Sequence, residues 1–217
     1  MTYEVQVEAK ETPRMVEVRR MDEYERDVRD EVSALLVEGF FPKLAYFTKD
    51  RGKLAATFRD GFRADMFYVA ELDGAIVGIL GCSIDTRRAL VARKTSLRRG
   101  LGFLTGSIAY AALKRSFNSP LQYGPGNGYI EWVATAERAR GRGVSTALFH
   151  HVMDRAGYGS LTLEVLDFNE NAFRLYRKLG FVEYDRKPAR GMEKQMFKER
   201  ILMRWDKSGP RPAGGRS

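Results

Sequence analysis

Arg140-Gly141-Arg142-Gly143-Val144-Ser145-Thr146-Ala147-Leu148 is the stretch whose reading decides the fold. It follows a strand-like run ending near Thr135, and the apolar spacing of a helix begins at Ala147-Leu148-Phe149, so the order is strand, loop, helix. The first turn of a helix has backbone N–H groups without partners, and the summed peptide dipole places about half a positive charge there. Gly141 and Gly143 have no side chain to hold an anion away from the backbone, and Arg140 and Arg142 add charge. The loop reads as an anion site. A plainer reading, in which the glycines shape a turn and the arginines are solvated, stays open on the loop alone. The spacing fits neither Gly-x-Gly-x-x-Gly nor a P-loop ending in Gly-Lys-Ser/Thr, which sets two nucleotide folds aside.

Downstream of the loop, element types alternate: strand 129–135, helix 143–155, strand 161–166, helix 169–179, then a strand over 181–184 and a last one over 197–205. Gly180 is placed to stop the second helix with a left-handed residue. Upstream, Met15-Val16-Glu17-Val18-Arg19 alternates as a short strand. Asp22 offers an N-cap for a helix whose buried face runs through Val28, Val32, Leu35, Leu36 and Phe40, and a second short helix spans 53–58. Residues 66–72 and 75–82 are strand-like runs joined by Asp73-Gly74, a tight hairpin because the turn needs positive φ that Asp and Gly tolerate. Residues 85–126 break the strand pattern, first rich in Arg and Lys and then apolar over 101–113. They read as an inserted basic amphipathic helical segment, either a cover over one end of the sheet or a lid, membrane-surface patch or nucleic-acid patch.

The chain has 217 residues, 44% hydrophobic and 30% charged, enough for one sizeable core. The expectation is one domain over residues 1–206 carrying that insertion, with 207–217 a disordered tail. Cys82 is the only cysteine and His150 and His151 are the only histidines, which excludes a disulfide framework and a cysteine-rich zinc site. No metal site is expected. No secretory signal is read at Met1-Thr2-Tyr3-Glu4, and 100–113 is too short for a span of about 20 apolar residues. Cytoplasm is the natural assignment. The formal charge of +9 raises local anion concentration and fits nucleic acid, an anionic membrane face or a polyphosphate, without choosing among them.

Arg140-x-x-Gly143-x-Ser145 resembles the Gln/Arg-x-x-Gly-x-Gly/Ala motif of the GNAT superfamily of acyl-coenzyme A N-acyltransferases, with Ser145 a departure to another small residue. Arg138-x-x-Gly141-x-Gly143 fits the letters too, but the first register places Ala147-Leu148 as the family has them. The later signature, Asn-x-x-Ala-x-x-Leu-Tyr-x-x-x-Gly-Phe, is met by Asn169, Ala172, Leu175, Tyr176, Gly180 and Phe181. The resemblance covers 67–205 well and 15–60 only in element order. It implies an α/β (α+β) fold, with a mixed, mostly antiparallel sheet splayed between its fourth and fifth strands and flanked by helices. The pantetheine arm of acetyl-CoA would pair with the backbone of Val133, Ala134 and Thr135. The pyrophosphate would lie on Arg140, Gly141, Arg142, Gly143, Val144, Ser145 and Thr146, with Asn169 and Ala172 beside the arm.

The resemblance further implies direct transfer to a primary amine in a ternary complex, with Tyr176 as proton donor to the departing thiolate. A Tyr packed as ordinary core stays the alternative. For the base, Glu131 and Glu164 are candidates. Glu131 is preferred because Tyr129, Glu131 and Val133 share one face of a strand, where apolar neighbours suit a poised carboxylate; a structural ion pair is the alternative for each. Cys82 reads as a buried inert thiol. A fold that binds acyl-CoA without transfer, as a sensor or interaction module, is the competing function. Nucleic-acid binding through Arg87, Arg88, Arg93, Lys94, Arg98 and Arg99 is weakened by the lack of aromatics for stacking. The amine is not legible, and oligomeric state, a homodimer included, is open.

Overall fold

A computed structural model describes residues 15–121, 123–155 and 157–209. The strands are β1 (Glu17–Arg20), β2 (Phe67–Leu72), β3 (Ala75–Ser83), β4 (Asn127–Thr135), β5 (Ser160–Leu166), β6 (Val182–Pro188) and β7 (Glu199–Asp206). They form one sheet in the order β1-β2-β3-β4-β5-β7-β6, and every neighbouring pair is antiparallel except β4 and β5. The helices are α1 (Arg29–Leu44), α2 (Arg51–Phe58), α3 (Lys94–Leu101), α4 (Phe103–Asn118), α5 (Val144–Arg155) and α6 (Glu170–Lys178).

The Asp73-Gly74 turn is present, with φ of 56° and 75°, and it joins two strands whose Val, Ile and Leu side chains are buried. Gly78 in β3 lets α5 approach: a Cβ there would stand 2.4 Å from Val144 Cγ1. Its neighbour Ile79 points to the other face and pairs with Ala134, where a Cβ on Gly39 of α1 would come 2.7 Å from that of Ala134. Helices α1 and α5 therefore cover opposite faces of the sheet. The core between them holds Leu36, Phe67, Ile79, Leu80, Leu148, Phe149, Leu161 and Phe181, all under 2% exposed. At about 25 cal/mol per Å² of apolar surface removed from water, this burial is the main favourable term of the fold. No helix among the described residues is long and apolar enough to cross a membrane.

One of these expectations needs correcting, and two gain detail. Asp22 does not cap α1: it lies in a 3-10 turn, Met21–Glu23, where its carboxylate accepts from Arg20, and α1 starts after Val28. The carboxylate that meets the start of α1 is Asp27, accepting from the Arg29 N–H at 3.0 Å, and in α2 Asp50 accepts from the Lys53 N–H at 3.0 Å. The insertion is a helical hairpin, broken at Gly102 (φ 85°) into α3 and α4. Of the tail, 207–209 closes a turn, with the Gly209 N–H donating to the Asp206 carbonyl and that of Lys207 to the Gly159 carbonyl; residues from 210 on lie outside the described residues.

Candidate active site

Strands β4 and β5 pair only from Asn127↔Ser160 to Ile130↔Leu163, and beyond that point they diverge. The opening coincides with a bulge in β4. Opposite it on β3, Ile79 pairs with Ala134 but Gly81 pairs with Glu131, so Trp132 and Val133 face one residue. Trp132 sits at φ 57°, a left-handed conformation rare for a large residue, held by ring contacts at 5.2 Å to Phe40 and 5.0 Å to Phe117. The bulge breaks strict alternation, so Val133 does not continue the face of Tyr129 and Glu131 as the sequence predicts. It also leaves β4 backbone beyond Ile130 without β5 as partner, which is the prerequisite for pairing with an extended ligand.

The divergence opens a cleft of about 150 Å³ whose walls are Glu131, Trp132 and Val133 on one side and Glu164, Asn169 and Tyr176 on the other. Thus Tyr176, both carboxylates, Asn169 and Val133 line one space. Asn169 caps α6, its side chain accepting from the Ala172 N–H at 3.3 Å. Tyr176 is set by contacts with Phe149 and Phe181, ring centroids at 5.2 and 6.1 Å. Burial raises its hydroxyl to about 12, so at neutral pH it is a proton donor and not a phenolate.

Past the cleft, β4 runs on to Thr135, beside the N-terminus of α5. Gly141 and Gly143 both hold positive φ, 76° and 78°. Among the described residues no acceptor meets the N–H groups of Gly143, Val144, Ser145 and Thr146; the first N–H of that turn to find one is Ala147, bonded to the Gly143 carbonyl at 2.9 Å. Val144 turns its side chain into the core, so it can offer only backbone. The Ser145 hydroxyl lies 2.9 Å from that of Thr135, tying the loop to the end of β4 and Ala134. Arg140 is exposed, and Arg142 lies 3.6 Å from Asp73. Arg138 donates to the Ile76 carbonyl at 3.1 Å, away from this turn.

On the cleft wall, Glu131 is not among apolar neighbours. Arg88 donates to its Oε2 at 2.6 Å and its Oε1 at 3.3 Å, Ser83 Oγ donates to Oε1, and both charged side chains are about 90% buried. Arg88 also reaches the Ser116 carbonyl at 2.6 Å, stitching the end of α4 to β4. Neither Arg88 nor Ser83 was legible as part of the site, because the contact spans more than forty residues and nothing local announces it. Glu164 has looser company: Arg200 at 3.6 Å, and enough negative charge near Tyr123, Tyr129 and Tyr184 to add to the burial that raises each of them. Cys82 is fully buried and burial pushes its thiol up to about 12, consistent with an inert group.

The model of the Acetyltransferase (GNAT) family matches residues 29–181. A solved structure described as histone acetyltransferase HPA2 and related acetyltransferase, from Corynebacterium glutamicum, is similar at 23% identity and TM-score 0.59, over 92% of this chain and 99% of that one. An N-acetyltransferase from Staphylococcus aureus is similar at 16% identity and TM-score 0.56, over 87% and 100%. At these identities the likeness is one of fold. An uncharacterized protein of Mycobacterium leprae is 35% identical over 81 residues, which is 37% of this chain and 21% of that protein.

Proposed function

The chain belongs to the acetyltransferase (GNAT) family, and from that premise we propose that it transfers an acetyl group from acetyl-CoA to a primary amine by direct attack in a ternary complex. What supports this reading is that β4 joins three features: four N–H groups at the start of α5 without an acceptor among the described residues, unpaired β4 backbone at the splay, and a protonated phenol lining the cleft there. The pyrophosphate sits on the N–H groups of Gly143, Val144, Ser145 and Thr146 with Arg140 and Arg142 adding charge, and Gly141 clears the approach. The pantetheine amides pair with Val133, Ala134 and Thr135, and Asn169 and Ala172 fix the turn beside them.

The amine nitrogen attacks the thioester carbonyl carbon and loses a proton to a base; the C–S bond breaks, and the departing sulfur takes the Tyr176 proton. Of the two carboxylates, Glu164 is the better base. Glu131 has its lone pairs engaged by Arg88 and Ser83, and taking up a proton there would undo a buried ion pair. Glu164 faces the cleft with a weaker contact to Arg200. Glu131 then serves to position Arg88 and the end of α4.

Release of free thiol from acetyl-CoA, measured against a panel of amines, peptides and small molecules, tests the reading. Turnover with at least one primary amine is the expected result. Tight acetyl-CoA binding without turnover for any acceptor would replace the enzyme by a non-catalytic sensor.

A further inference from the structure

The α3–α4 hairpin is anchored at one end and bare at the other. Near the sheet, buried Phe117 packs on Trp132 and Phe58, and the Asn118 side chain both accepts from and donates to the Ala92 backbone, at 2.8 and 3.1 Å. The two helices touch closely: a Cβ on Gly106 would fall 2.4 Å from the Leu97 carbonyl. At the far end the turn exposes Phe103, Leu104 and Ile108, at 66%, 76% and 70%. A helix that is apolar on its outer as well as its inner face ordinarily has something covering both.

The charge around this tip selects the cover. Between Asp85 and Glu131 the chain carries eight Lys and Arg and no Asp or Glu. Two of the eight are engaged by carboxylates elsewhere, Arg87 by Asp65 at the surface and Arg88 by Glu131 in the interior. Arg98 lies over the Phe103 ring at 4.2 Å and donates to Ser107, placing a cation beside the apolar tip, and neighbouring Arg99 is 77% exposed. Arg93, Lys94, Lys114 and Arg115 are also exposed. Asp60, 3.4 Å from Arg99, is the one carboxylate that meets these exposed cations among the described residues, so a second copy on this face would still set mostly like charges against each other. A surface that is apolar inside and anionic outside satisfies both features.

We propose that the α3–α4 hairpin docks the protein on an anionic lipid surface, with Phe103, Leu104 and Ile108 entering the headgroup layer and Arg98 and Arg99 meeting lipid phosphates. This stands apart from the acyl-transfer reading, because the binding needs no acetyl-CoA. The test is co-sedimentation of the full chain with vesicles of phosphatidylcholine alone or mixed with phosphatidylglycerol. Binding is expected only to the mixed vesicles. It should weaken when salt rises from about 0.1 M to about 1 M, which shortens the screening length from about 10 Å to about 3 Å. Arg98→Gln with Arg99→Gln should lower partition about five-fold per side chain. Leu104→Ser with Ile108→Ser should lower it at least about ten-fold without changing the melting temperature, since both side chains already face solvent.

Four results would overturn the proposal. They are no preference for the anionic vesicles, binding that survives loss of Leu104 and Ile108 or extends equally to DNA, and a concentration-dependent dimer in sedimentation velocity that Leu104→Ser with Ile108→Ser abolishes.

Discussion

The two parts of the candidate site are built from different material. Toward α5, the groups on offer are backbone: the N–H groups of Gly143 to Thr146, and β4 past the point where β5 leaves it. In the other part they are side chains drawn from distant parts of the chain, with Arg88, Ser83 and Glu131 locked together and Tyr123, Tyr129 and Glu164 nearby. Backbone recognition suits a ligand part common to every reaction of a family. Side-chain recognition can vary without disturbing the sheet, which is where an acceptor preference is stored.

The largest expected effect lies between the two parts. Tyr176→Phe should lower kcat about 100-fold or more, the usual worth of a positioned proton donor, and leave KM for acetyl-CoA near that of the parent chain. Equal loss in kcat and acetyl-CoA affinity would make Tyr176 a packing residue. Next come the carboxylates. Glu164→Gln should depress kcat about 100-fold, against a several-fold effect of Glu131→Gln, and the reverse order would return the base role to Glu131.

Arg88→Met probes stability in the side-chain part. It leaves the Glu131 carboxylate buried without its partner, so urea unfolding should show a loss of about 3 kcal/mol, and Arg88→Met with Glu131→Leu should recover most of it. Parent-like stability in the single variant would mean that the ion pair does not hold the hairpin. The smallest effect is in alkali. Burial raises Tyr176 from its ordinary value of 10 to about 12, so the folded chain holds that proton more tightly than the unfolded one. Its contribution is intact below pH 10 and is lost as pH rises through the interval to 12. Near pH 11 the parent should lose about 1 kcal/mol that Tyr176→Phe does not, read from urea midpoints on either side of the interval.

The same contrast explains what the sequence discloses. Asp73-Gly74, the Gly141 and Gly143 loop, and the run from Asn169 to Phe181 are legible because each requirement, a positive φ or a helix start and stop, is met within a few residues. The bulge at Trp132 is not, since a β-branched or aromatic run reads as plain alternation until its register against Ile79 and Gly81 is known. Glu131 reads as an isolated carboxylate on a strand, and its meaning changes when Arg88 folds back onto it from the insertion. Asp22 misleads for a related reason: it is a good cap residue beside a helical pattern, but its carboxylate is engaged locally by Arg20.

The central claim is that the start of α5 and the splay together bind acyl-CoA, and thermal melting with and without acetyl-CoA tests it most directly. At a hundred times its dissociation constant a ligand stabilises the fold by about 2.7 kcal/mol, which for a chain of this size raises Tm by about 5 to 10 °C. The parent should show that shift, and Gly143→Val, which forces a branched side chain into φ 78° at the start of α5, should lose most of it. An unchanged Tm for the parent at saturating acetyl-CoA would contradict the account.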